Sequence, residues 1–208
     1  MSEKKGILTV ISGFSGAGKG TVLKELLHKH KEYALSVSAT TRSPREGEEH
    51  GREYFFLTGE EFEKMIAKEE LIEYAMYVNH YYGTPRVYVQ EQLAKGKDVI
   101  LEIEVQGALK VKEKFPDTLL LFITPPDAAE LERRLTSRGT ESPEVVHKRM
   151  RTAAKEAQFM EFYDYIIVNE KDKLDECVEK VHRTIQSEHR KSSRNHEFIE
   201  HMKKDLNK

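Results

Sequence analysis

The run Gly13-Phe14-Ser15-Gly16-Ala17-Gly18-Lys19-Gly20-Thr21 restricts what this chain can fold into more than any other feature. It has GxxxxGK spacing and sits between two patterned segments. Before it, Ile7 to Ser12 is a short β-branched apolar run suited to a buried parallel strand. After it, from Lys19 to about His30, Val22, Leu23, Leu26 and Leu27 recur at helical intervals. Strand, glycine turn and helix together make a cradle for polyphosphate. The glycines let backbone N–H groups close on the phosphates, the helix N-terminus adds its dipole, and the lysine neutralises the outer oxygens. Gly20 stands where such loops usually place a Ser or Thr hydroxyl on Mg²⁺. Thr21 is the nearest substitute, and otherwise the metal would be held through water, as Mg²⁺ tolerates well.

The same alternation returns downstream. Val99 to Glu104 reads as a strand, Ala108 to Phe115 as a helix, and Leu119 to Thr124 as a strand. Asp127 to Thr136 reads as a helix with Asp127 as N-cap, and Tyr165 to Val168 as a strand. A helix from about Asp172 to Ser187 gathers Leu174, Cys177, Val178, Val181 and Ile185 on one side. Strands alternating with helices imply an α/β fold, a P-loop parallel sheet core covered by helices on both faces. Two stretches break the rhythm. Ser36 to about Tyr88 is polar and tyrosine-rich, with strand candidates Glu53 to Leu57 and Leu71 to Val78 around one helix, and reads as an inserted mixed α/β lobe. Ser137 to Pro143 is a polar turn between helices with the look of a small helical lid. Expected boundaries are a core of about 6–37 and 89–188, a lobe of about 38–88 and a lid of about 134–150. A hydrophilic tail follows at 189–208, where Phe198, Ile199 and Met202 offer a weak helix.

Bulk properties narrow the function classes. With 208 residues the chain buries one good core, and two independent catalytic domains are not expected. Charged residues are 34% of the chain and mean hydropathy is −0.65, and the longest apolar runs are strand-sized, so no membrane association is expected. The N-terminus MSEKKG lacks the apolar stretch of a secretory leader, so a cytoplasmic location is expected. One cysteine cannot form an internal disulfide, and Cys177 falls on the apolar side of its helix. The nine histidines show no HExxH spacing. A net charge of −2 gives no global attraction for nucleic acid, and none is expected as a partner.

A phosphate loop alone does not name a reaction. Further motifs follow in order: Ser38-Ala39-Thr40-Thr41-Arg42-Ser43-Pro44-Arg45, then Gly47-Glu48, Gly51 and Tyr54, then Leu71-Ile72-Glu73-Tyr74. Tyr81-Tyr82-Gly83-Thr84 comes next, and Leu101-Glu102-Ile103-Glu104-Val105-Gln106-Gly107 completes the set. Together they resemble the guanylate kinase family, from about Gly6 to Ile185, and the GKGT of the phosphate loop is also seen in nucleoside monophosphate kinases. The resemblance implies ATP bound along Gly13 to Thr21, with Asn169 bordering the adenine. It implies GMP held by Ser38, Arg42, Arg45, Tyr54, Glu73, Tyr82, Thr84, Glu102 and Glu104. Guanine offers two adjacent donors, N1–H and the exocyclic amine, and a carboxylate is the natural acceptor for that pair. Glu73 matches the family's residue in that role, with the Ser38 and Thr84 hydroxyls completing the contact. The family often has Ser where this chain has Thr84. Arg42, Arg45, Tyr54 and Tyr82 match its clamp on the GMP phosphate.

Glu102 and Glu104 are two apart, so an extended strand presents them on one face. By resemblance they lie near GMP and the water shell of Mg²⁺, though many relatives carry Asp at one or both. Arg134, Arg138 and Arg149, in a segment with six Arg or Lys against three Glu between Leu131 and Arg151, match the family's lid arginines. With Lys19 and Arg42 they would spread charge on the moving phosphoryl group. The implied activity is transfer of the ATP γ-phosphoryl group to GMP, and to dGMP as well. Two alternatives remain open at this level: a non-enzymatic guanylate-kinase-like interaction module, and a kinase for another nucleoside monophosphate. The oligomeric state is not legible.

Overall fold

The computed structural model describes residues 5–77, 79–137 and 142–208. The glycine loop lies between strand β1 (Leu8–Gly13) and helix α1 (Lys19–Lys29). Three short strands follow, β2 (Tyr33–Leu35), β3 (Ser38–Thr40) and β4 (Tyr54–Phe56). Helix α2 (Gly59–Ala67) starts at a capping box. The Thr58 side chain accepts from the Glu61 N–H, and Glu61 reaches back to the Thr58 N–H. The chain continues through β5 (Leu71–Tyr77), β6 (His80–Pro85), α3 (Arg86–Ala94), β7 (Asp98–Glu102) and α4 (Val105–Lys114). Then come β8 (Leu119–Thr124), α5 (Ala128–Ser137), α6 (Pro143–Ala157), β9 (Tyr165–Val168), α7 (Leu174–Glu188) and α8 (His196–Leu206).

Among the described residues two sheets form. The larger is all parallel, in the order β2-β7-β1-β8-β9. All six residues of β8 are buried, as are Val10 and Ile11 of β1 and Val99, Ile100 and Leu101 of β7. A strand buried at successive residues has both faces covered, which requires helices on each side. Helix α1 turns Val22, Leu23 and Leu26 inward, and α7, packed beside it, contributes Cys177, Val178, Val181 and Ile185. Each such side chain contributes roughly 1.5–3 kcal/mol on burial. Asp127 caps α5 as its residue type suggests, its carboxylate accepting from the Glu130 N–H at 2.8 Å.

The smaller sheet is mixed, in the order β4-β3-β6-β5, with its own core of Ala39, Phe62 and Leu71. Register sorts its residues. Ser38 pairs with Tyr54, Thr40 with Phe56 and Tyr82, and Ala39 with Phe55 and Gly83. By the two-residue period, Ala39, Phe55 and Gly83 face the α2 side, where Phe62 lies against the Gly83 position. Ser38, Thr40, Tyr54, Tyr82 and Thr84 share the opposite face. A register shift between Leu71 and Tyr74 sets Tyr74 opposite Gly83 and puts Glu73 with that polar group.

The C-terminal segment is tied to the core at its start. His189 donates or accepts through Nε2 at 2.8 Å from the carboxylate of Asp98, a residue 1% exposed that also accepts the Ile7 N–H at 2.8 Å. Among the described residues no helix is long and apolar enough to cross a membrane.

Candidate active site

The glycine loop closes between β1 and α1 because two of its backbone positions admit no other residue type. Gly13 has φ 151°, and a Cβ there would lie 2.0 Å from the Ile123 carbonyl oxygen. Gly18, at φ 89°, is the left-handed N-cap of α1, and a Cβ there would lie 2.6 Å from Asn169 Nδ2. Phe14 turns its ring into the core, edge-on to Phe122 at 4.9 Å, so only its backbone is left to face a ligand. Lys19 folds over the loop, donating to the carbonyls of Gly13 at 2.6 Å and Phe14 at 3.2 Å. Gly20 is open: a Cβ would meet nothing within 4 Å, so no crowding excludes a hydroxyl there. Thr21 lies exposed on the first turn of α1.

The loop is braced from behind. Asn169, buried after β9, donates from Nδ2 to the Ala17 carbonyl at 2.8 Å. Arg134 on α5 donates to the same carbonyl at 3.3 Å and to the Asn169 carbonyl at 2.9 Å, while its Nε binds Glu130 at 2.7 Å. Glu130 also holds Arg133, and the two arginines pull its pKa down to about 2. Arg149 on α6 donates to the hydroxyl of Ser15. Arg138 lies outside the described residues.

In the smaller sheet Glu73 is 6% exposed, and its Oε1 accepts from the Thr84 hydroxyl at 2.8 Å. Burial pushes its pKa up, against the Thr84 hydrogen bond and the more distant charges of Lys110 and Lys114. Its Oε2 has no hydrogen-bond donor among the described residues. A Cβ on Gly107, in the first turn of α4, would come within 3.0 Å of that oxygen, so the glycine leaves the carboxylate its room. Ser38 is half-buried on the same sheet face.

Beside this pocket Arg42 forks onto Glu48, Nη1 to Oε2 at 2.9 Å and Nη2 to Oε1 at 3.0 Å. Its guanidinium lies 5.4 Å from the Tyr54 ring centre and is hydrogen-bonded to Tyr82. Tyr54 and Tyr82 meet edge to face at 6.1 Å. The Arg45 side chain is exposed, and its backbone N–H is held by Glu48 at 2.7 Å. Tyr54 feels the charge of Glu102, although burial is the larger reason its pKa is raised. Arg42, Tyr54 and Tyr82 thus adjoin the carboxyl end of β7.

Glu102 ends β7, but Glu104 is not on the strand. It is the N-cap residue of α4. The ladder stops because the chain turns away here, with the Ile103 carbonyl accepting the Ser12 hydroxyl at 2.7 Å. Glu102 has its pKa raised by partial loss of water and by Glu104, against the pull of Lys19; its side chain reaches solvent, so that push is screened. Sequence reasoning missed a third carboxyl. Glu156 on α6 is hydrogen-bonded to Glu104, and its pKa is pushed up by burial first and by Glu104 second, against Lys19. Its signal was its spacing, since it lies seven residues after Arg149 and therefore on the same helical face.

Glycine-loop N–H groups, Lys19, two arginines braced on the loop and a carboxyl cluster converge at the carboxyl ends of parallel strands, where open α/β sheets bind ligands. The family model described as guanylate kinase matches residues 5–188. The guanylate kinase of Oceanobacillus iheyensis is 52% identical over 194 residues, 93% of each chain. That of Lactococcus lactis is 48% identical over 204 residues, 98% of each chain. The crystal structure of guanylate kinase from Anaplasma phagocytophilum superposes with a TM-score of 0.73 at 31% identity, covering 93% of this chain and 92% of that one.

Proposed function

Because the chain belongs to the guanylate kinase family and is a nucleoside monophosphate kinase, an ATP:GMP phosphotransferase, we propose that its specificity rests on Glu73 and its chemistry on alignment along the glycine loop. The observation that carries this reading is a buried carboxylate with one oxygen bonded to Thr84 and the other left for a ligand. Guanine's N1–H and amine fit that oxygen and its neighbours. Adenine brings no such donor pair, and a polar site left unpaired rejects the wrong base by as much as ~10⁴ to 10⁵.

ATP lies along Gly13 to Thr21 with its adenine toward Asn169. The GMP phosphate is held by Arg42, Arg45, Tyr54 and Tyr82. A GMP phosphate oxygen attacks the γ-phosphorus in line, the bond to the β,γ-bridging oxygen breaks, and ADP leaves. The nucleophile is already an anion, so neither a general base nor a covalent enzyme intermediate is required. Lys19, Arg42, Arg134, Arg138 and Arg149 spread charge over the transferring group. Lys19 must leave the Gly13 and Phe14 carbonyls to do so, and Arg42 must share its fork with Glu48. dGMP is included as an acceptor because no residue assigned to GMP is assigned to the ribose 2′-hydroxyl.

The donor set suits Mg²⁺. Glu102, Glu104 and Glu156 are hard oxygen ligands crowded enough that Glu104 hinders the ionisation of Glu156, and Thr21 adds a hydroxyl. These residues would hold the ion, mainly through water. When bound, Mg²⁺ supplies neutralisation of the phosphate oxygens. The reaction belongs to purine nucleotide metabolism, and the cytoplasm is the location we propose.

The test is ATP-dependent ADP formation with GMP, dGMP, AMP, UMP and IMP as separate acceptors. GMP and dGMP are expected to lead. Lys19→Ala is expected to lower kcat by on the order of 10² to 10³. Equal rates with AMP and GMP would defeat the substrate assignment.

A further inference from the structure

At the opposite end of α1 from the glycine loop, about 16 Å away along an 11-residue helix, a second group of ligating side chains converges. His30 is the C-cap residue of α1, Glu32 directly precedes β2, and His182 lies on α7. The two imidazoles are stacked, with centres 3.8 Å apart and planes 13° from parallel. Glu32 Oε1 lies 3.7 Å from His30 Nδ1 and 3.8 Å from His182 Nδ1. Both distances are too long for hydrogen bonds. They fall inside the ~4.2 Å that two donors each ~2.1 Å from one metal can span, but rings this nearly parallel aim their in-plane lone pairs side by side, so one imidazole turns when the ion binds. One donor atom from each of the three residues falls within 4.8 Å of the others.

We propose that His30, Glu32 and His182 form a binding site for a divalent transition metal of the zinc class, water completing its coordination. Two imidazoles and one carboxylate are the donors such ions select, whereas Mg²⁺ prefers oxygen alone, which separates this site from the one serving the reaction. The ion must displace one existing contact, since a hydroxyl already holds a donor atom. Tyr33 OH meets His182 Nδ1 at 2.8 Å and accepts from Gln186 Nε2 at 3.2 Å. When the metal takes the His182 lone pair, the Tyr33 hydroxyl keeps Gln186 as its donor. Glu32 is exposed, which leaves the cluster open to solvent.

The bound ion would staple the end of α1 and the start of β2 to α7, a link between segments 152 positions apart in sequence, as His30 and His182 are. A ligand that binds only the folded chain raises its stability by mass action.

The experiment uses the full chain without an affinity tag, stripped with chelator, and two readouts: equilibrium dialysis against Zn²⁺ with metal analysis, and thermal unfolding. One equivalent is expected to bind, with a Tm rise that saturates with Zn²⁺ and is absent with Mg²⁺. His30→Gln, Glu32→Gln and His182→Gln are each expected to weaken binding by at least ~10-fold, the lower bound seen even for outer-shell changes. Because Glu32 is exposed, its variant should fold even if a histidine variant does not. Phosphotransfer of the metal-free variants in Mg²⁺ should match the parent. No binding above background, or one equivalent held with unchanged affinity by His30→Gln/His182→Gln, would overturn the assignment.

Discussion

Glu73→Gln separates recognition from folding in one substitution. Gln has nearly the shape of Glu, and its carbonyl oxygen still accepts the Thr84 hydroxyl, now at 2.8 Å from Glu73 Oε1. Where Oε2 stood, however, the variant presents an NH₂ group to two guanine donors. A hydrogen bond to a charged group contributes ~1.5–3 kcal/mol, so its loss corresponds to roughly 10- to 150-fold in kcat/KM for GMP at ~1.4 kcal/mol per decade. Stability should move the other way. Burial raises the folded-state pKa of Glu73 above 4.5, its ordinary value. A carboxyl raised in this sense gives its full contribution below the unfolded pKa and loses it as pH rises through the folded one. At neutral pH the ionised group therefore destabilises the unliganded fold, and Gln removes that cost. Steady-state kinetics with GMP and AMP, beside thermal unfolding at pH 7, measure both effects. A kcat/KM for GMP within about twofold of the parent, or a Tm several degrees lower, would refute the reasoning.

Glu156→Gln should raise Tm at pH 8 and have little effect near pH 4.5. The Glu156 pKa is raised from 4.5 to about 7, so its destabilising charge develops across that window, and unfolding scans at several pH values will read it. Gly107→Ala should raise KM for GMP several-fold with little change in Tm, because its Cβ, 3.0 Å from Glu73 Oε2, displaces the end of a side chain rather than the backbone. Asp98→Ala should destabilise by about 3–5 kcal/mol in denaturant titrations, since it strands the buried Ile7 N–H and removes the partner of His189.

The glycine loop and four strands of the large sheet were legible because their signals are local, whereas the three-residue β2 was not. Gly13, Gly18 and Lys19 lie within seven residues, and β8 is a continuous apolar run. The smaller sheet was only half legible. Strands β3 and β4 have three residues each, too few for a period, and β6 reads HYYGTP, which is polar and aromatic without clean alternation. Their existence depends on cross-strand pairing between distant segments, Ser38 with Tyr54 and Ala39 with Gly83. Helix α3 escaped for a related reason: only Val89 is buried, and Val87 points outward. The strand expected to run to Glu104 stops at Glu102, since a period of two cannot see where a ladder ends. The Asp98–His189 pair and the His30–His182 stack are meetings of distant segments, and no spacing in the sequence announces them.

The most direct measurement is a crystal structure of the chain with GMP and a non-hydrolysable ATP analogue bound together. It should place the Glu73 carboxylate against N1–H and the exocyclic amine of guanine, the analogue's phosphates on the N–H groups of Gly13 to Thr21, and the two phosphate chains end to end. GMP seated away from the four-stranded sheet, or its base turned from Glu73, would contradict the account.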